Sequence, residues 1–109
     1  MTDLELLELA AKAAGYARID FLSFEFDSRA NVYDERDRHD NWNPLADDGD
    51  AMRLVVKLGM AVSVEYNYGS TSVIWGHSGN VRELHGGNPE AATRRAIVRA
   101  AAEIGKEMK

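Results

Sequence analysis

Leu4, Leu7, Ala11 and Ala14 recur at intervals of three and four residues, and Leu6 and Ala10 widen the stripe. That spacing predicts an amphipathic helix. Thr2 stands as its N-cap with Glu5 three residues on, a capping box, and Gly15 supplies a left-handed stop. The pattern then changes to a period of two over 16–27. Ile19 and Phe21 hold one parity, and Leu22, Phe24 and Phe26 hold the other, which predicts a strand with a bulge or with burial on both faces. Residues 28–41 are polar and charged, an exposed loop with room for a short strand at Asn31, Val32 and Tyr33.

A second, shorter helix runs from Ala51 to Leu58, with Leu54, Val55 and Leu58 inward, Asp48 or Asp50 as its cap and Gly59 as its stop. Three strands follow. Val62, Val64 and Tyr66 share one face of the first, opposite Ser63, Glu65 and Asn67. A turn at Tyr68-Gly69-Ser70 leads into 71–77, where Val73 and Trp75 oppose Ile74, and Ser78-Gly79-Asn80 turns into 81–85. Asn88 and Pro89 open a final helix whose buried stripe is Ile97, Ala101, Ile104 and Met108, with Arg95, Arg99 and Lys106 opposite. The order predicts an α+β fold, three helices packed on an antiparallel sheet of four to five strands in a sandwich-like arrangement.

A chain of 109 residues fits one domain, 1–109. With no cysteine, disulfides, thiolate metal sites and cysteine nucleophiles are excluded. The acidic start, Met1-Thr2-Asp3-Leu4-Glu5, does not read as a signal peptide, and no apolar run is long enough to span a membrane, so a cytoplasmic location is expected. The net charge of −5 is unevenly spread: ten acids face three arginines between Asp20 and Asp50, whereas bases outnumber acids after Asn88. An acidic middle argues against nucleic acid, which needs clustered Lys and Arg.

The run from Trp42-Asn43-Pro44-Leu45 through Asp47-Asp48-Gly49-Asp50-Ala51-Met52-Arg53-Leu54 to Val56-Lys57-Leu58-Gly59 resembles the central motif of the phage ABA sandwich domain proteins. The opening Asp3–Gly15 segment and the closing Ala91–Ile104 segment are similar to that family too, so the resemblance covers about half the chain and its three helices. A looser similarity to NinX-like phage proteins points the same way. The resemblance implies helices around a sheet and a phage or prophage setting in a Gram-negative host. It brings no catalytic residues.

Each candidate site has a plainer reading beside it. Trp42, aimed by the Asn43-Pro44 step, is either an aromatic anchor for a partner or a lid on the core where the loop meets the second helix, and the second is preferred. Asp47, Asp48 and Asp50 look like part of a calcium loop, but the twelfth position is Leu58, not the required Glu, so capping is preferred. His39, His77 and His85 form no metal-type pair. Ser63, Ser70, Ser72 and Ser78 lack a nucleophile elbow, and 76–80 and 86–87 lack phosphate-loop spacing. Glu90 repels an anion from the last helix's start. Asp34, Glu35, Asp37 and Asp40 remain as a negative patch able to meet a basic partner, or as a solvated loop. The expectation is a non-enzymatic protein without cofactor or metal that binds a host or phage protein. The alternatives are a homodimer through an open sheet edge, or an enzyme assembling Asp48, Asp50, His77, His85 and the arginine face.

Overall fold

In the computed structural model, residues 1–21 and 29–108 are described. Helix α1 spans Asp3–Ala13, α2 Asp48–Leu58 and α3 Pro89–Glu107. The strands are β1 Arg18–Asp20, β2 Ala30–Tyr33, β3 His39–Trp42, β4 Ala61–Glu65, β5 Ser70–Trp75 and β6 Gly79–Leu84. The α+β class and the helix order stand as expected, but the strands divide between two antiparallel three-stranded sheets, β1-β2-β3 and β4-β5-β6. The additional strand is β3, which the sequence left inside a loop. His39, Asp40 and Asn41 are exposed and polar, so no apolar alternation marks it. Leu22, Phe24 and Phe26 of the first expected strand lie outside the described residues, as do Asp27 at its end and Ser28 at the start of the expected loop.

The helix ends follow their residues. Thr2 Oγ1 accepts the Glu5 N–H at 3.2 Å and Glu5 Oε1 accepts the Thr2 N–H at 3.1 Å, closing the capping box. At the other end, the Gly15 N–H reaches the Lys12 carbonyl and the Tyr16 N–H reaches that of Ala11. This is a Schellman closure made possible by Gly15 at φ 86°. Helix α2 is capped one residue earlier than expected, by Asp47, whose carboxylate accepts the Asp50 N–H at 2.8 Å, and it stops at Gly59 with φ 64°. Asn88 caps α3 through the Ala91 N–H at 3.0 Å.

Helix α3 is the centre of the packing: one side meets α1, and another lies on β5 and β6. It is therefore buried more widely than a single stripe, over Ala92, Ala96, Ile97, Val98, Ala100, Ala101, Ala102 and Gly105. Ile104 is only half-buried and Met108 is exposed, so the end of the expected stripe faces water. Helices α1 and α3 run in the same direction. Arg95 Nη1 meets Asp3 at 3.0 Å near one end, and Lys12 Nζ donates to the Met108 carbonyl at 2.9 Å at the other. Small residues let the two helices touch: a Cβ built on Gly105 would lie far inside van der Waals contact with the Leu9 carbonyl oxygen and 2.9 Å from its carbon. Val32 and Trp42 carry the first sheet into the same core as Leu6, Leu7, Leu54, Val73 and Val98.

In the second sheet, Val62, Val73 and Val81 stand side by side across the three strands. Thr71 and Val73 are fully buried on the face beneath α3. Ile74 and Leu84, of opposite parity, are exposed on the other face.

Candidate functional site

The acidic segment is folded as a hairpin rather than spread as a loop. β2 pairs with β3 from Ala30↔Trp42 to Tyr33↔His39, and 34–38 closes the turn. One oxygen of Asp34 accepts the N–H groups of Arg36 and Arg38, each at 2.9 Å, while the other meets Arg38 Nε at 2.7 Å. The Arg38 N–H holds the Asp34 carboxyl below the usual carboxylate range, helped by the Arg38 guanidinium and the Arg36 N–H. A depressed folded-state pKa contributes stability above the unfolded value and loses it as pH falls through the folded one. Acidification below the ordinary carboxylate range is therefore expected to loosen this turn, seen as broadened amide signals of 34–38, and Asp34→Asn should remove that dependence.

Asp37 sits at φ 64°, alone in that region among the described non-glycine residues, and pairs with Arg18 at 2.7 Å. Arg18 in turn lies 3.5 Å over the Tyr33 ring. Asn tolerates the left-handed region, and the ion pair is exposed, so Asp37→Asn should change stability by no more than about 0.5 kcal/mol. A branched residue does not tolerate it, so Asp37→Val should cost about 1–2 kcal/mol in a thermal melt. Asp34 and Asp37 are held in ion pairs with Arg38 and Arg18, and Glu35 and Asp40 are the exposed acids beside them.

Trp42 is 4% exposed and meets Tyr16 edge-on with ring centroids 5.8 Å apart. It is part of the core and offers no face to a partner, which corrects the anchor reading. Asn43 and Pro44 build the approach to α2. Asn43 Oδ1 accepts the Leu45 N–H at 3.0 Å, the Asn43 carbonyl accepts the Ala46 and Asp47 N–H groups, and the Asn43 N–H donates to Asp50 at 2.9 Å. Burial, with the nearby Asp47 charge, pushes the Asp50 carboxyl above its usual range, while the Asn43 N–H pulls it back. The motif behind the resemblance is thus a folding device.

Asp48, Asp50, His77, His85 and the arginine face do not converge on one site. His77 is exposed in the β5–β6 turn and His85 follows β6, so the length of that strand, about 20 Å, separates them. Asp48 pairs with Arg94 at 2.7 Å, and Asp50 is engaged with Asn43 and Arg53. Arg95 meets Asp3 at 3.0 Å and Glu83 at 4.0 Å, and Arg99 also pairs with Glu83. His85 Nε2 lies 2.9 Å from the Thr71 hydroxyl, which lies 2.8 Å from that of Thr93. This chain ties β5 to α3, and Thr71 is fully buried, so no substrate reaches it. Among the described residues no three His, Asp or Glu stand close enough to hold a metal ion, and no helix is long and apolar enough to cross a membrane.

What sequence reading missed is an apolar groove. The face of the second sheet beneath the helices extends past α3 to Val64, and α2 stands off from it. The gap, about 420 Å³, is lined by Ala51, Met52, Val64, Tyr66, Pro89 and Ile97, with Asp48, Glu90, Thr93 and Arg94 as its polar groups. Beside it Val56 is 75% and Tyr66 78% exposed, and Met52 sits one turn before Val56 on the same side of α2. The period-two pattern of Val62, Val64 and Tyr66 signalled an apolar face, but it could not say that the covering helix would stop short. None of the family models, curated proteins or solved structures compared with this chain matches it.

Proposed function

We propose that the chain is a phage or prophage accessory protein that acts without chemistry of its own, by binding a host or phage protein in the bacterial cytoplasm. The exposed apolar groove between α2 and β4 carries this reading, because apolar surface left open beside a polar rim is where partners bind. The phage setting rests on the sequence resemblance, and interference with host metabolism or defence is the role that fits it. The occupant is an apolar segment flanked by Lys or Arg. Met52, Val64 and Tyr66 supply the floor for such a segment, Glu90 supplies opposite charge beside it while Asp48 is paired with Arg94, and the whole chain carries −5.

Capture from a host lysate, with cross-links mapped on the captured protein, tests this reading in wild type, Met52→Asp and Tyr66→Ala. Both side chains are largely exposed, so both variants should melt like wild type. Wild type should retain one protein through an apolar, basic-flanked segment, more weakly at high salt, and each variant should lose most of it. Capture that ignores both substitutions, or no specific capture at either salt, overturns the assignment.

A further inference from the structure

The two edges of the second sheet are treated differently. The Ser70↔Leu84 pair is flanked by the His85 N–H donating to the Gly69 carbonyl at 2.8 Å, which makes it a non-hydrogen-bonded pair. Alternation then turns the backbone groups of Thr71 toward β6, and those of Ser70, Ser72 and Ile74 toward β4. On the far side of β6, the Arg82 carbonyl therefore points outward, and Arg99 Nη1 covers it at 3.1 Å. On the far side of β4, the N–H and C=O groups of Val62 and Val64 point outward. No hydrogen bond among the described residues reaches them. β4 carries no Lys, no Pro and no bulge, the usual protections of an exposed edge.

We propose that this edge pairs with β4 of a second copy of the chain, antiparallel about a two-fold axis through Ser63. The edge is self-complementary in that register. Val62 falls opposite Val64 of the second copy, both with outward backbone groups, so the pair and its symmetry mate make four hydrogen bonds. Glu65, the single charge on the strand, falls opposite Ala61. The two Glu65 side chains stay about 13 Å apart along the strands, beyond the screening length at physiological salt. Exposed Val64 gains a branched cross-strand neighbour. The product is a continuous six-stranded sheet with both α2–β4 grooves on the same side. The pairing is made by the outward backbone groups of Val62 and Val64, and of the groove floor only the Val64 side chain gains a neighbour from it.

The chain has no cysteine, so single-cysteine reporters read the register directly. Sedimentation of wild type should show a concentration-dependent dimer. Ser63→Cys should cross-link to itself under mild oxidation, since directly opposed non-hydrogen-bonded positions have Cα atoms about 4.5 Å apart, within disulfide range. Ala61→Cys, opposite Glu65 rather than itself, should cross-link far more slowly. Ser63→Lys places like charges face to face on an exposed position and should leave a folded monomer. Val64→Pro deletes an outward N–H and should do the same. A wild-type monomer at the highest attainable concentration overturns the pairing, and that is also the outcome if β4 takes its strand from another protein. Equal cross-linking at Ala61→Cys and Ser63→Cys overturns the register.

Discussion

Gly105→Ala is expected to lower stability by about 2–3 kcal/mol, against the sign that helix propensity gives. In an open helix interior the same exchange is worth about 1 kcal/mol in favour of Ala. Here the added methyl would lie far inside van der Waals contact with the Leu9 carbonyl oxygen on α1. That obstacle is backbone, held by α1's own hydrogen bonds, and cannot rotate away as a side-chain tip would. The helices must separate, and Ala101 and Ala102, on the side of α3 that Gly105 shares, lose close contact with α1. Gly49→Ala, near the start of α2, is the matched control. The nearest atom to its new Cβ is on the guanidinium of Arg53 at 3.0 Å, a movable side-chain tip, and the Asp47 cap oxygen at 3.2 Å need give only slightly. That variant should hold or gain about 0.5 kcal/mol. Denaturant melts of the pair decide the matter: a stabilised Gly105→Ala would mean that α1 and α3 do not touch as described.

Leu7→Ala is expected to cost about 2–5 kcal/mol, a fall of roughly 10–20 °C in melting temperature for a domain of this size. Leu7 is fully buried in the common core. Its neighbours there include many alanines, whose short side chains cannot reach into a vacated space, so the cavity should persist and the loss should lie toward the upper end. Leu54→Ala, at 2% exposure, belongs to the same class. Ile104→Ala should cost distinctly less, because Ile104 is only half-buried and part of its lost surface already faced water. Equal losses at Leu7 and Ile104 would show the core to be centred nearer the end of α3.

Much of this architecture was legible because local chemistry and global packing agree. Thr2, Gly15, Gly59, Asn88 and Pro89 each mark a helix end that the structure places within a residue or so of the expected position. The β4–β6 meander followed from alternation that one buried face enforces. The first sheet was only partly legible, because His39, Asp40 and Asn41 bury nothing. The turn chemistry that joins β2 to β3, an Asp34 carboxylate gathering two N–H groups ahead of a left-handed Asp37, has no distinctive dipeptide. The candidate surface was least legible. A groove is space left by two elements that fail to close, and periodicity reports only which residues prefer cover. Trp42 was correctly favoured as core, since a large ring fixed by the following proline step is worth more buried than exposed.

The parallel contact of α1 with α3 joins residues that are nearly the whole chain apart. On a translating ribosome, Leu6, Leu7, Ala10 and Ala11 are made about 80 residues before the alanine-rich helix that covers them, and face water until it emerges. The β4–β6 meander, whose contacts are local, can close well before that moment. A nascent chain should therefore carry a sticky, unmatched α1 while both sheets and α2 are being made, and gain the largest piece of its protection only when α3 emerges.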